Sequence, residues 1–425
     1  MLTNDDKALI LLCSNIGLKN TELKPLTLRQ WNELAMSIIK SNIKRPENLF
    51  SMNDEDIIAE LNIGKQQAEN IINLLSRSVE LGIELERLYA KGIKVITRAS
   101  NMYPTKLKKK LKDLSPPVIF YCGNLALANE EGIGIVGSRN IKEEYVEFTK
   151  ELVKNSVNEN LVIFSGGARG IDDTSEKEAF INGGRYVSFL ADSLEAKIKK
   201  KDVREKLSTN RVLLMTATNP STGFNVGFAM NRNKYIYSLS EATFVIASDY
   251  NKGGTWTGAV ENLKNGWTKT FVRQDLKSKG VQEIIKLGAT PIDNLENIST
   301  RQLINDSTIY SKERINNVVV EQLGLDSILN IDIKEKSEEN SVLSELANSQ
   351  NNLKNLNEDD AIIENYDIYY YVVDIILKAL KEEKTIDQLV EILNVNKVQI
   401  NNWLSRAIEE KKVKKLYKPV RYICV

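Results

Sequence analysis

The pattern of apolar and polar positions changes character several times along the chain. Residues 1–90 place apolar side chains at helical spacing, with few glycines and few β-branched runs, and predict a helical domain. Within it, residues 61–68 (Leu-Asn-Ile-Gly-Lys-Gln-Gln-Ala) resemble half of a helix–hairpin–helix or a plain packing hairpin. From residue 91 the runs shorten. Residues 92–97 and 116–121 read as strands, with a turn at Asn101-Met102-Tyr103-Pro104. Between them, Lys106, Lys108, Lys109, Lys110 and Lys112 predict a solvated lysine face, with Leu107, Leu111 and Leu114 at helical spacing. Short apolar runs then alternate with helical segments, giving strands at 133–137, 161–165, 186–191, 211–215, 243–248 and 269–272. That alternation predicts an α/β fold, a doubly wound parallel sheet over a body of residues 91–300.

The pattern loosens after residue 300. Residues 301–365 read as an acidic linker; its stretch 326–365 holds ten acidic and three basic side chains and no glycine or proline. Residues 366–425 regain periodicity. An apolar helix over 368–380 precedes a capping-box start at Thr385-Ile386-Asp387-Gln388, a further helix opening at Asn396, and a basic hairpin. Three helices and a hairpin predict a C-terminal winged-helix domain, a DNA-binding or a protein-docking module.

Candidate chemistry gathers at three turns. Gly137-Ser138-Arg139 follows one expected strand and Gly166-Gly167-Ala168-Arg169 follows the next. Lys252-Gly253-Gly254-Thr255 opens a helix after a third. Glycines there let a backbone approach a ligand closely, helix-start N–H groups favour an anion, and the arginines add positive charge. The expected ligand bears phosphate. Neither a dinucleotide fingerprint nor a P-loop is present, so an NAD enzyme or an ATPase is not indicated. The stretch Asn231-Arg232-Asn233-Lys234-Tyr235-Ile236-Tyr237 suits a polyanion with stackable bases, or else the core face of a helix.

Composition narrows the classes. The chain contains no histidine, which excludes Ser-His-Asp and Cys-His apparatus and histidine metal ligands. Cys13, Cys122 and Cys424 match no zinc spacing and fit a reduced, cytoplasmic protein. No catalytic residue, metal or cofactor is assigned, and no signal peptide or membrane span is expected. The formal charge of +1 means that any nucleic-acid binding must come from local patches.

Together, Ile135-Val136-Gly137-Ser138-Arg139, residues 165–172 (Ser-Gly-Gly-Ala-Arg-Gly-Ile-Asp), Asn231-Arg232-Asn233-Lys234-Tyr235-Ile236 and Gly253-Gly254-Thr255 resemble the DprA/Smf family of DNA-processing proteins. The resemblance is strong over the α/β body and rests on layout alone at the two ends. It implies a Rossmann-like body that binds single-stranded DNA without cutting it. It further implies a homodimer that loads a RecA-type recombinase during natural transformation. By motif, Arg139, Arg169 and Arg232 would contact DNA. Lys234, Asn233, Gly137, Ser138, Gly166, Gly167, Gly253, Gly254 and Thr255 would shape the groove. Phe224, Tyr235 or Trp256 could stack bases. The chain departs from the family pattern at Asp173-Thr174-Ser175-Glu176, where small residues and a histidine are common, and at Gly254-Thr255-Trp256-Thr257. The alternative is a nucleotide-signal sensor or a phosphoribohydrolase-like enzyme, in phage defence for example, with Asp172 or Glu261 as general base.

Overall fold

Each apolar run singled out between residues 92 and 272 forms a strand. In a computed structural model these are β1 (Lys94–Thr97), β2 (Val118–Gly123), β3 (Gly132–Val136), β4 (Val162–Ser165), β5 (Tyr186–Phe189), β6 (Val212–Thr216), β7 (Ala242–Val245) and β8 (Lys269–Arg273). A further strand, β9 (Thr290–Ile292), contains Pro291, which hides it from a reading by propensity. The structure describes residues 2–18, 22–295 and 298–305. Toward the C-terminus it describes 373, 376–377, 379–393, 397–410, 412–416 and 420–424. Two compact units result, Met1–Asp332 and Ile333–Val425.

Among the described residues of the first unit the strands form one nine-stranded sheet in the order β1-β2-β6-β5-β4-β3-β7-β8-β9. The run from β6 to β9 is parallel, whereas β2 is antiparallel to both β6 and β1. The sheet is therefore mostly, not wholly, parallel. From β3 the chain winds outward through β4 and β5 to β6, then returns to lay β7 on the other side of β3. Strand order reverses at β3/β7, and crevices in such sheets open at that point.

Alternate strand residues enter opposite faces, as the pleat dictates. Ile133, Ile135, Ile163, Val212 and Leu214 pack in one cluster. Helices α1 (Asn4–Cys13), α2 (Leu28–Lys40), α3 (Asp54–Leu61), α4 (Lys65–Leu75) and α5 (Ser78–Ala90) contribute to the same cluster. Val136, Val162, Phe164, Leu213 and Met215 pack in the other. There they meet α6 (Thr105–Leu111), helix Lys279–Lys286 and two further helices described below. Residues 8–12 of α1 are all buried, because the helix is enclosed by its neighbours and by the margin of the sheet. Polar ties fix these helices to the α/β body: Thr97 of β1 donates its hydroxyl to Asp6 at 2.6 Å, and Arg87 and Lys91 both reach Glu195, on the short helix Leu194–Ile198. Their hydrogen bonds, Arg87's above all, hold the Glu195 carboxyl well below its ordinary value, at about 2. In the 61–68 hairpin Asn62 takes the left-handed conformation, φ 51°, and Gly64 starts α4.

The lysine face is only partly solvated. Lys108, Lys109 and Lys112 are exposed, but Lys106 and Lys110, one helical turn apart, turn inward. Lys106 pairs with Glu241 at 2.8 Å, and Lys110 donates to the carbonyl of Ser240. Burial pushes the Lys110 ammonium down to about 8.

In the second unit, Thr385 and Gln388 form the expected capping box at the start of helix Ile386–Leu393. Helix Lys397–Glu409 follows, and strand Val413–Leu416 pairs antiparallel with Arg421–Cys424. Leu380, Leu389, Ile400, Leu404 and Tyr422 share a core there. The expected acidic linker beyond residue 305, and the expected helix as far as residue 372, lie outside the described residues. Among the described residues no helix is long and apolar enough to cross a membrane.

Candidate nucleic-acid interface

At the switch point the sequence places short, small side chains, so the chain turns sharply and leaves a hollow. Gly137-Ser138-Arg139 leaves β3 and heads for α7 (Glu143–Asn158). Ser248 and Asp249 follow β7, and α12 (Gly253–Asn265) starts just beyond. α11 (Val226–Leu239) crosses β3, β4 and β5 and closes the hollow from one side. These segments line an open cleft of about 330 Å³. Of the expected residues it holds Gly137, Ser138, Arg139, Asn233, Arg232, Gly253, Gly254 and Thr255, together with Phe224 and Asp172.

The turns are tied to one another. Thr255 donates its hydroxyl to the carbonyl of Gly137 at 3.0 Å, and Asn233 donates its amide to the carbonyl of Gly254 at 2.6 Å. Lys252, at the N-cap of α12, makes no side-chain capping bond. The first-turn N–H groups of α12 are therefore left for water or an anion. At the lip, the Arg139 guanidinium lies 4.7 Å from the centre of the Phe224 ring, and Phe224 is 51% exposed. Arg139 is exposed too. Cation and ring together form a platform with a charged edge and an apolar face.

Arg232 has a different setting. It is 7% exposed, its Nη1 lies 3.7 Å from Asp172 Oδ2, and its Nε has no hydrogen-bond partner. Burial pulls its basicity down while Asp172 opposes the shift; burial likewise pushes the Asp172 carboxyl up. The guanidinium occupies the place a side chain at residue 166 would need: a Cβ on Gly166 would fall 1.2 Å from Nη1.

Several expectations change here. The turn after β4 is not an open phosphate cradle. Gly167 donates its N–H to Glu176 at 2.8 Å and Ala168 donates to Asp172 at 3.4 Å, so the chain's own carboxylates fill it. Both carboxylates come from α8 (Ile171–Ile181). Gly166 makes room for Arg232 and Gly137 for Ile171, rather than for a ligand; of the named glycines, Gly253 is the one that faces open space. Arg169 is exposed but does not line the cleft. Lys234 is buried away from it, with Glu261 as its opposing charge. Tyr235 is a core residue against Phe189, ring centres 4.6 Å apart. Trp256 is half-buried and meets Tyr250 edge-on at 5.0 Å. Glu261 does not line the cleft, and Asp172 within it is bound to Arg232, which leaves neither placed as a free base. Sequence reasoning missed Glu176. The signal was available, since residues four apart on a helix point the same way, here Asp172 and Glu176 toward the turn they cap.

The molecule's relatives agree with this architecture. The chain matches the family of DNA recombination-mediator protein A over residues 94–302. DNA processing protein DprA of Bacillus subtilis is 27% identical over an alignment of 239 residues that covers 52% of this chain and 79% of that protein. DNA processing protein DprA of Streptococcus pneumoniae is 26% identical over 178 residues, 41% of this chain and 63% of that protein. The X-ray structure of DNA processing protein A from Streptococcus pneumoniae shares the fold, with a TM-score of 0.51 at 19% identity over 69% of this chain and 95% of that one. Over residues 94–302, the α/β body, the chain is similar to the DprA and Smf proteins of that family.

Proposed function

We propose that the cleft binds single-stranded DNA and that the chain is a DNA recombination mediator, passing the bound strand to a RecA-type recombinase. The observation that carries this reading is the Arg139–Phe224 platform standing beside the uncapped start of α12. A phosphate meets the helix N–H groups and the guanidinium, whose planar donors match two of its oxygens. The base beside it stacks on the exposed ring, a contact worth roughly 1–3 kcal/mol and open only to a base free of its own duplex. Asp172 and Arg232 neutralise each other at the floor, which suits binding without turnover. The family's role in recombination supports the same assignment. In this reading the protein works in the cytoplasm as a homodimer. The C-terminal helices and hairpin then act as a winged helix, adding a second contact to DNA or to a partner.

Fluorescence titration of matched single- and double-stranded oligonucleotides and of mononucleotides tests the reading. Single strands should bind best, with affinity falling as salt rises. Arg139→Ala should weaken binding for all sequences alike and flatten the log–log salt slope by about 0.7, one phosphate's worth. Duplex binding as strong as single-strand binding would overturn the assignment. A mononucleotide that binds as tightly as an oligonucleotide would give the cleft to small nucleotides instead.

A further inference from the structure

The turn beside the cleft is held by acid. Glu176 and Asp172, 5% and 6% exposed, accept the N–H groups of Gly167 and Ala168. On the other side of the same turn, Lys197 donates its ammonium to the Gly167 carbonyl at 3.2 Å. The Arg232 guanidinium packs against Gly166 within that turn and lines the cleft. The charge of Glu176 is felt at Arg232 together with those of Asp172 and Asp192. Glu176 does not line the cleft itself, but it fixes the turn under the cleft's buried cation and contributes to that cation's field.

We propose that Glu176 is a positioning residue whose protonation state sets how strongly the cleft holds a nucleic-acid phosphate, so that strand binding takes up a proton. The proposal rests on the nucleic-acid reading above. With both carboxylates ionised, two buried acids offset Arg232 and the half-buried Lys197, and an incoming phosphate meets little net positive charge. Protonated Glu176 still accepts the Gly167 N–H through its carbonyl oxygen, so the turn stays where it is. The field at the cleft floor then rises by one charge. An anion bound near Arg232 disfavours the ionised acid further, which links binding to proton uptake.

The surroundings of Glu176 agree with a titration near neutrality. Burial pushes its carboxyl up to about 7, opposed chiefly by Lys197. The other titratable groups around it are Tyr186 on β5, Arg232 on α11 and Asp172 on its own helix. No histidine exists in the chain to titrate in that range. Lys110, at about 8, lies on α6 and does not line the cleft.

The test uses the full chain and a fluorescent oligothymidylate, with affinity measured from pH 6 to 8.5 at fixed ionic strength. The wild-type protein should lose affinity several-fold as pH rises, with a midpoint near neutrality. Glu176→Gln, which keeps an acceptor for Gly167 and cannot ionise, should hold the low-pH affinity throughout. Lys197→Met removes the opposing charge and should move the midpoint to higher pH; that shift decides the matter alone should Glu176→Gln fail to fold. A flat wild-type profile overturns the proposal, as does a slope that survives in Glu176→Gln or a midpoint unmoved in Lys197→Met. No binding by any of the three proteins at any pH overturns the nucleic-acid reading, and this proposal with it.

Discussion

Three arginines that look alike in the sequence part company in the structure. Arg139 and Arg169 are exposed, while Arg232 is buried against Asp172. Replacing Arg232 by alanine strands a buried carboxylate, and a loss of about 3–5 kcal/mol is expected, read as a lowered melting temperature. Arg139→Ala and Arg169→Ala should stay within about 0.5 kcal/mol of wild type in the same melt. Gly137, Gly253, Gly254, Arg139 and Arg232 were legible in the sequence as a cluster, whereas Arg169, expected with them, does not line the cleft. The arginines' division of labour was not legible, because the space that accepts Arg232 is opened by Gly166 on a different element. Glu176 extends the argument to pH. Its folded carboxyl stands above the ordinary 4.5, at about 7, so its contribution to stability is fully present below 4.5 and fades as pH rises through 7. Glu176→Gln should therefore leave the melting temperature unchanged near pH 4.5. It should raise it at pH 8 by the equivalent of about 3 kcal/mol, the sign being opposite to that of a salt-bridged acid.

At the scale of elements, the strands were readable because β-branched runs bounded by turns have few other uses. α11 was only half readable, its stretch from Asn231 to Tyr237 fitting a polyanion site or the core face of a helix. All its residues from Arg232 to Leu239 are buried, since it lies across β3, β4 and β5 and also meets α6 and α12. A helix enclosed on all sides carries no apolar stripe, so Tyr235 and Tyr237 could be taken for base-stacking residues when they are core. The turns that flank it make a sharp comparison. Gly166→Ala would thrust a methyl into the Arg232 guanidinium, whereas Gly253→Ala meets open space and suffers only from its φ of 79°. The second cost is roughly 1–2 kcal/mol. Gly166→Ala is expected to lower both melting temperature and oligonucleotide affinity, and by more than Gly253→Ala; equal effects would mean that Arg232 is not seated on that glycine.

Across the whole first unit, the N-terminal helices and one face of the sheet bury a single apolar cluster. Periodicity showed the helices but not the surface they cover, because an apolar stripe does not name its partner. A chain beginning at residue 91 would leave Val95, Val118 and Phe120 without the helices that share their cluster. It should bind a hydrophobic dye and lose its cooperative melt, while a melt as sharp as that of the full chain would show the body to be self-sufficient. The far margin of the sheet has a consequence of another kind. β9 is three residues long and includes Pro291, which offers no N–H. Such a margin is a poor template for a further strand, so zipping copies backbone to backbone is discouraged there. Recognition along that border falls to side chains, and the protein gains resistance to the stacking by which open sheets grow into fibres.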